Sequence, residues 1–232
     1  MFERYNRQII LDGIGIEGQN KLKNSSVLVV GVGGLGSVIS LYLTAAGIGK
    51  IGLIDDDNVS ISNLQRQILY KESELNLQKV DCAPKRLSEL NSEVSFDICS
   101  EKLNSENADL IIPKYDIIVD GCDNFETRYL IDDFCVKHNK PYVFGAISEF
   151  SGQVSVFNYK GCATYRDLFP KETVEGKFAK QTNGVLGVLP GIIGSIQANE
   201  VIKIITGIGE ILSNKLFFIN ILTMESDVFE IG

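Results

Sequence analysis

The turn Gly31-Val32-Gly33-Gly34-Leu35-Gly36 constrains this chain more than any other stretch. It follows directly on Val27-Leu28-Val29-Val30, an apolar β-branched run that predicts a buried parallel strand. Beyond the turn, Leu35, Val38, Ile39, Tyr42, Leu43 and Ala46 recur at helical spacing until Gly47 stops the run. A second strand, Ile51 to Ile54, then delivers Asp55. Together these make a βαβ unit with G-x-G-x-x-G at its turn and a carboxylate about twenty residues on, the fingerprint of a nucleotide site. Such glycines let backbone N–H groups approach phosphate at a helix N-terminus, where the dipole favours anions, and Asp55 can accept from a ribose hydroxyl. The pattern alone says nucleotide without saying which, and NAD or FAD is its usual ligand.

The next segment, Asp55-Asp56-Asp57-Asn58-Val59-Ser60-Ile61-Ser62-Asn63-Leu64-Gln65-Arg66-Gln67, changes that reading. It sets carboxylates, amides and an arginine just past a strand's carboxyl end, where open α/β sheets bind ligands. A dinucleotide rarely needs so much charge. Arg66 suits a triphosphate better, because a guanidinium clamps phosphate oxygens in a bidentate fork.

With these residues in view, the chain resembles the HesA/MoeB/ThiF family, bacterial relatives of ubiquitin-activating enzymes. The matching words are Arg4-Tyr5-Asn6-Arg7-Gln8-Ile9-Ile10-Leu11, the glycine turn, the segment 55–67, Gln78-Lys79-Val80, Asp120-Gly121-Cys122-Asp123-Asn124 and Gln197-Ala198-Asn199-Glu200-Val201-Ile202-Lys203, in family order. The resemblance implies an ATP-dependent adenylyltransferase. A substrate carboxylate attacks the α-phosphorus, pyrophosphate leaves with Mg2+, and an acyl-adenylate remains. It places Lys79 on the phosphates, Asp123 on magnesium, and Arg7 across a homodimer in the partner's site. The set expected at the nucleotide is Gly31, Gly33, Gly34, Gly36, Asp55, Asp57, Asn63, Arg66, Gln67, Lys79, Asp123 and Asn124. The implied substrate is the C-terminal Gly-Gly of a small ubiquitin-like sulfur carrier, of thiamine thiazole or molybdopterin type. Sulfur transfer on this chain or on a separate sulfurtransferase stays open. So do adenylation of a peptide or tRNA-modification substrate, an NAD-dependent oxidoreductase, and a non-catalytic nucleotide-binding protein.

The chain departs from the family in its cysteines. Zinc-bearing members carry C-x-x-C around the words matched here by Thr164-Tyr165-Arg166-Asp167 and again near the C-terminus; this chain has neither pair, so no zinc is expected. Members that bond covalently to the carrier place a cysteine where Lys180 aligns, and no cysteine follows Cys162. Cys82, Cys99, Cys122, Cys135 and Cys162 read as reduced thiols, Cys122 as packed, and His138 as solvated surface.

A net charge of −8 disfavours a nucleic-acid or anionic-membrane partner. A charged start, Met1-Phe2-Glu3-Arg4, and no apolar stretch of spanning length set the expectation of a cytoplasmic protein. The fold class expected is α/β: a Rossmann-like, mostly parallel central sheet with helices on both faces, continuing into antiparallel strands toward the C-terminus. At 232 residues with 44% hydrophobic content, one adenylation domain is expected. It divides into an N-terminal arm and helix (1–25), a nucleotide-binding core (26–160), a crossover loop (161–184) and a C-terminal helix and hairpin (185–232). Within it the patterns predict helices at Leu75–Leu90, Ser105–Ile112, Phe125–Lys137 and Gly187–Gly207. Asp123 is an alternative N-cap for the third of these. Strands are predicted at Val94–Cys99, Asp116–Val119, Pro141–Ile147 and Gly152–Tyr159, with a final hairpin from Lys215–Ile221 and Met224–Ile231 that could serve as a docking platform.

Overall fold

All eight strands that the apolar runs predict are present and form one sheet in a computed structural model, which describes residues 2–171 and 184–231. Helices α1 (Phe2–Ile9) and α2 (Gly15–Lys23) precede β1 (Ser26–Val30), α3 (Gly34–Ala46) and β2 (Lys50–Ile54). Next come α4 (Lys79–Leu90), β3 (Ser95–Cys99), α5 (Ser105–Ile111), β4 (Ile117–Asp120), α6 (Phe125–Lys137), β5 (Tyr142–Ser148) and β6 (Ser151–Phe157). After these follow α7 (Tyr165–Leu168), α8 (Leu189–Thr206), β7 (Lys215–Asn220) and β8 (Glu225–Glu230).

The strand order is β3-β2-β1-β4-β5-β6-β7-β8. β1 to β5 run parallel, and β6 to β8 continue antiparallel. Val29 of β1 sits opposite Leu53 on one side and Val119 on the other. Alternation along β1 sends Val27 and Val29 into one core with Leu35, Ile39 and Leu43 of α3 and Leu189, Ile193 and Val201 of α8. Leu28 and Val30 face a second core with Ala108 of α5, Ile131 and Cys135 of α6, and a cluster of aromatic rings. Covered on both faces, β1 is apolar from Val27 to Val30. The chain leaves β1 toward β2 and β3, then returns on its other side with β4 and β5. That reversal opens a crevice at the carboxyl ends of β1 and β4, the place where such sheets take ligands.

Three local readings change. Helix α4 starts at Lys79, not Leu75, because residues 76–78 pair with the strand exit instead. The Val59 N–H donates to Leu77 O at 2.9 Å, the Asn76 N–H to Val59 O at 2.9 Å, and Asn76 takes φ 68° to turn the chain. The N-cap of α6 is Asn124, whose Oδ1 accepts the Thr127 N–H at 2.9 Å, leaving Asp123 exposed. His138 is partly buried, its Nε2 2.7 Å from Asp109 Oδ1, so it clasps α6 to α5.

The crossover loop is anchored at its start. Asp132 of α6 accepts the N–H groups of Tyr165 (2.9 Å) and Arg166 (3.3 Å), and Arg166 forks onto both Asp133 oxygens at 2.7 Å. Thr164 N–H and Oγ1 both donate to Asp167 Oδ2, at 2.7 and 2.9 Å. Tyr165 is thereby driven into the aromatic cluster, fully buried against Phe144, Phe157 and Phe169. Lys180 lies outside the described residues. Among the described residues, no helix is long and apolar enough to cross a membrane.

Burial pushes Asp132 up to about 6, against the two backbone N–H groups that pull it down. The folded state therefore holds this proton more tightly than the unfolded chain, whose carboxyl titrates near 3.8. The resulting stabilisation is full below that value and is lost as pH rises through about 6. Asp132→Asn removes the titration. Its unfolding free energy relative to wild type, followed by urea, should rise by up to about 3 kcal/mol between acid and neutral pH. A difference that does not change with pH would contradict this assignment.

Candidate active site at the strand reversal

The crevice floor is backbone. Gly31, at φ 86°, lies so close to the end of β4 that a Cβ there would sit 2.8 Å from Gly121 O. A Cβ on Gly121 would lie 2.2 Å from Gly31 O, and one on Gly36 2.0 Å from the same oxygen. At all three positions the close approach leaves no room for a side chain. Gly33 differs: as N-cap of α3 it offers no side-chain cap, and the nearest atom to a Cβ there is Gln67 Nε2 at 3.5 Å. Among the described residues no side chain caps the amino end of α3, whose first amides suit an anion.

Charged side chains converge on this turn from the segment after β2. Asp55 Oδ2 accepts the Val32 N–H at 2.7 Å, tying β2 to the glycine turn, and Oδ1 accepts the Asp57 N–H at 2.9 Å. Burial raises its pKa, opposed by the Lys79 ammonium. Lys79 opens α4 with its N–H on Asp57 O at 3.0 Å. Its side chain, 4% exposed, reaches back to put Nζ 2.6 Å from Asp57 Oδ2 and 3.6 Å from Asp55 Oδ1. Arg66 stands against Gly34 and donates from Nη1 to Ser62 O at 3.0 Å. Asn63 closes the tight turn that carries Arg66 and Gln67, accepting the Ser60 N–H at 3.3 Å. Gln67 is buried, and its Oε1 has no hydrogen-bond partner among the described residues. The oxygens of Asp55, Asp56 and Asp57 lie within 4.8 Å of one another, a group that does not include Asp123.

The opposite wall is the loop after β4, and a buried ion pair fixes it. Asp120 Oδ2 accepts from Arg128 Nε at 3.0 Å and from the Tyr142 hydroxyl at 3.1 Å, while Oδ1 accepts the Cys122 N–H at 2.8 Å. Arg128 also donates from Nη2 to Cys122 O at 3.0 Å. From α8, Gln197 Nε2 donates to Asp120 O at 2.7 Å. Burial alone would lower the Arg128 pKa, but the Asp120 carboxylate outweighs it and keeps the guanidinium charged. Burial, and secondarily Asp120, holds the Cys122 thiol well above its usual range, so it is protonated and no nucleophile. Asp123 and Asn124 follow at the crevice edge, with Asn124 Nδ2 3.4 Å from Asp123 Oδ1.

The glycines, Asp55, Asp57, Asn63, Arg66, Gln67 and Lys79 therefore meet around one turn, and Asp123 and Asn124 line the adjoining loop. Arg7 does not join them within one chain. It lies on exposed α1, whose Tyr5 packs against Gly47 at the far end of α3, roughly 20 Å along that helix from the glycine turn. Sequence reading assigned no part to Arg128, Tyr142 or Gln197. Tyr70 was also passed over; its hydroxyl donates to Val32 O at 2.8 Å and holds the turn from behind. Only the motif words containing Asp120 and Gln197 signalled this network.

The family model described as the ThiF family matches residues 5–232. The "Probable molybdopterin-synthase adenylyltransferase" of Porphyra purpurea is 48% identical over 99% of this chain and 61% of that protein. The "Adenylyltransferase and sulfurtransferase MOCS3" of Culex quinquefasciatus is 49% identical over 92% of this chain and 49% of that protein. This chain thus spans about half to three fifths of these relatives. The "Sulfur carrier protein adenylyltransferase" of Thermus thermophilus is 45% identical over 95% of this chain and 83% of that protein. Among solved structures, E. coli MccB with ATP superposes with a TM-score of 0.88 at 26% identity, over 99% of this chain and 71% of that one.

Arg128→Ala would strand the Asp120 carboxylate in the core. Unfolding in urea should show a loss of about 3–5 kcal/mol. A loss below about 1 kcal/mol, the range of a surface pair, would contradict the buried-pair description.

Proposed function

We propose, because this chain belongs to the ThiF family, that it is an ATP-dependent adenylyltransferase acting on the C-terminal Gly-Gly carboxylate of a small ubiquitin-like sulfur carrier. The observation that carries this reading is the buried Lys79 ammonium beside the amino end of α3, with Arg66 on the same turn. A triphosphate uses two cations there, whereas a dinucleotide's pyrophosphate is ordinarily held by helix amides alone. The oxidoreductase alternative loses its support accordingly.

In the proposed reaction a carboxylate oxygen of the carrier attacks the α-phosphorus of ATP. The bond from that phosphorus to the bridging oxygen breaks, pyrophosphate leaves, and the acyl-adenylate is the product. This displacement calls for positioning and charge stabilisation rather than a protein nucleophile, which agrees with a protonated Cys122. Gly33, Gly34 and Gly36 would line the phosphates, with Asn63, Arg66 and Lys79 holding their oxygens. Asp55 would accept from ribose through lone pairs that Val32 and Asp57 leave free. Asp123 would hold Mg2+: its carboxylate is exposed, carries among the described residues only the long Asn124 contact, and is a hard oxygen donor. Bound there, the ion would offset charge developing on pyrophosphate.

The distance of Arg7 from its own glycine turn favours service in a partner's site, so the proposal includes a homodimer. A sulfurtransferase is a further proposed partner, since the Culex relative's name joins that activity to adenylation. Residues 1–232 are proposed as one adenylation domain, working in the cytoplasm. Asp123→Ala should cut ATP–pyrophosphate exchange by about a hundredfold or more while leaving thermal stability unchanged. Exchange within about threefold of wild type would remove Asp123 from the reaction.

A further inference from the structure

Lys79 is held by two carboxylates that are not equivalent. Asp55 is nearly buried, its side chain 8% exposed, and both its oxygens already accept backbone N–H groups of Val32 and Asp57. It cannot leave without breaking the glycine turn. Asp57 is the reverse. Its side chain is 70% exposed, and among the described residues its carboxylate pairs with the Lys79 ammonium, at 2.6 Å. Its backbone is pinned at both ends, N–H to Asp55 and C=O to the Lys79 N–H, so the carboxylate can swing away while the chain stays put. Two carboxylates against one ammonium leave this cluster net negative, and a polyphosphate entering it meets repulsion until the ammonium changes partner.

We propose that Asp57 is a resting counter-ion which the phosphates of the nucleotide displace from Lys79, so that this carboxylate sets the threshold for triphosphate binding. The exchange moves no proton and breaks no covalent bond. The ammonium gives up one carboxylate oxygen and gains a phosphate oxygen, and Asp57 turns to solvent. The inference rests on the adenylation reading of the site, and it runs against a simpler one in which Asp57 itself contacts the nucleotide.

The test is calorimetric titration of the full chain with ATP, and with adenosine, at fixed Mg2+ and without carrier. It compares wild type with Asp57→Asn, Asp57→Glu and Asp56→Asn. Asp56 is an exposed neighbour of equal charge, so its variant reports charge removal alone. The expected result is ATP binding tightened about fivefold or more in Asp57→Asn, well beyond Asp56→Asn, with Asp57→Glu near wild type and adenosine affinity equal in all. Unchanged or weaker ATP binding in Asp57→Asn overturns the counter-ion role, and so does an equal gain in Asp56→Asn. Wild-type protein that binds no ATP at all overturns the adenylation reading, and the inference with it.

Discussion

The site depends on a contact between two backbones. Where β1 and β4 end side by side, Gly31 and Gly121 touch with no room for a Cβ on either, and Gly36 brings the first turn of α3 against the same carbonyl. This closeness sets the glycine turn and the loop after β4 side by side. β1 and β4 stay paired to Val30 and Asp120, and the helices that follow them, α3 and α6, pack on opposite faces of the sheet. Here the Asp120–Arg128 pair braces the joint from behind, and Gln197 binds it to α8. The buried pair is costly to desolvate, and its hydrogen bonds to Tyr142, Cys122 and the loop carbonyl offset that cost. What the fold gains is a loop of fixed shape at the end of β4.

On this frame the charges are arranged by exposure. The groups that shape the site are buried: Asp55 on the turn, Lys79 against it, Asp120 and Arg128 beneath. Those with freedom to move or exchange partners, Asp57 and Asp123, are exposed. Such a division suits chemistry done by positioning. A protonated thiol beside the crevice and no histidine near it leave the proposed reaction to phosphate recognition and charge offset, with the carboxylate nucleophile supplied by the substrate.

The parts legible in the sequence were those with local causes. Strands covered on both faces had to be runs such as Val27–Val30, and the glycine turn announced the helix that follows it. The antiparallel half of the sheet showed in the alternation of β6. What escaped reading was set by distant partners. The start of α4 is delayed because Val59 captures residues 76 and 77, a pairing across the chain that no propensity records. The Asp132 anchor makes an ordered turn of a polar stretch for the same reason, since its acceptors sit on α6. Arg128 carries no local signal, and only the fold buries it on Asp120. The resemblance supplied roles for Lys79 and Arg7 that spacing alone would have left as surface charge.

Adenylation of a carrier tail is the central claim, and ATP–pyrophosphate exchange tests it most directly. Purified protein with Mg2+ and small ubiquitin-like carriers ending in Gly-Gly would be compared with the same carriers shortened by those two residues. Exchange that requires the intact tail is the predicted result. Absence of exchange with every carrier, from protein that binds ATP, would contradict the account.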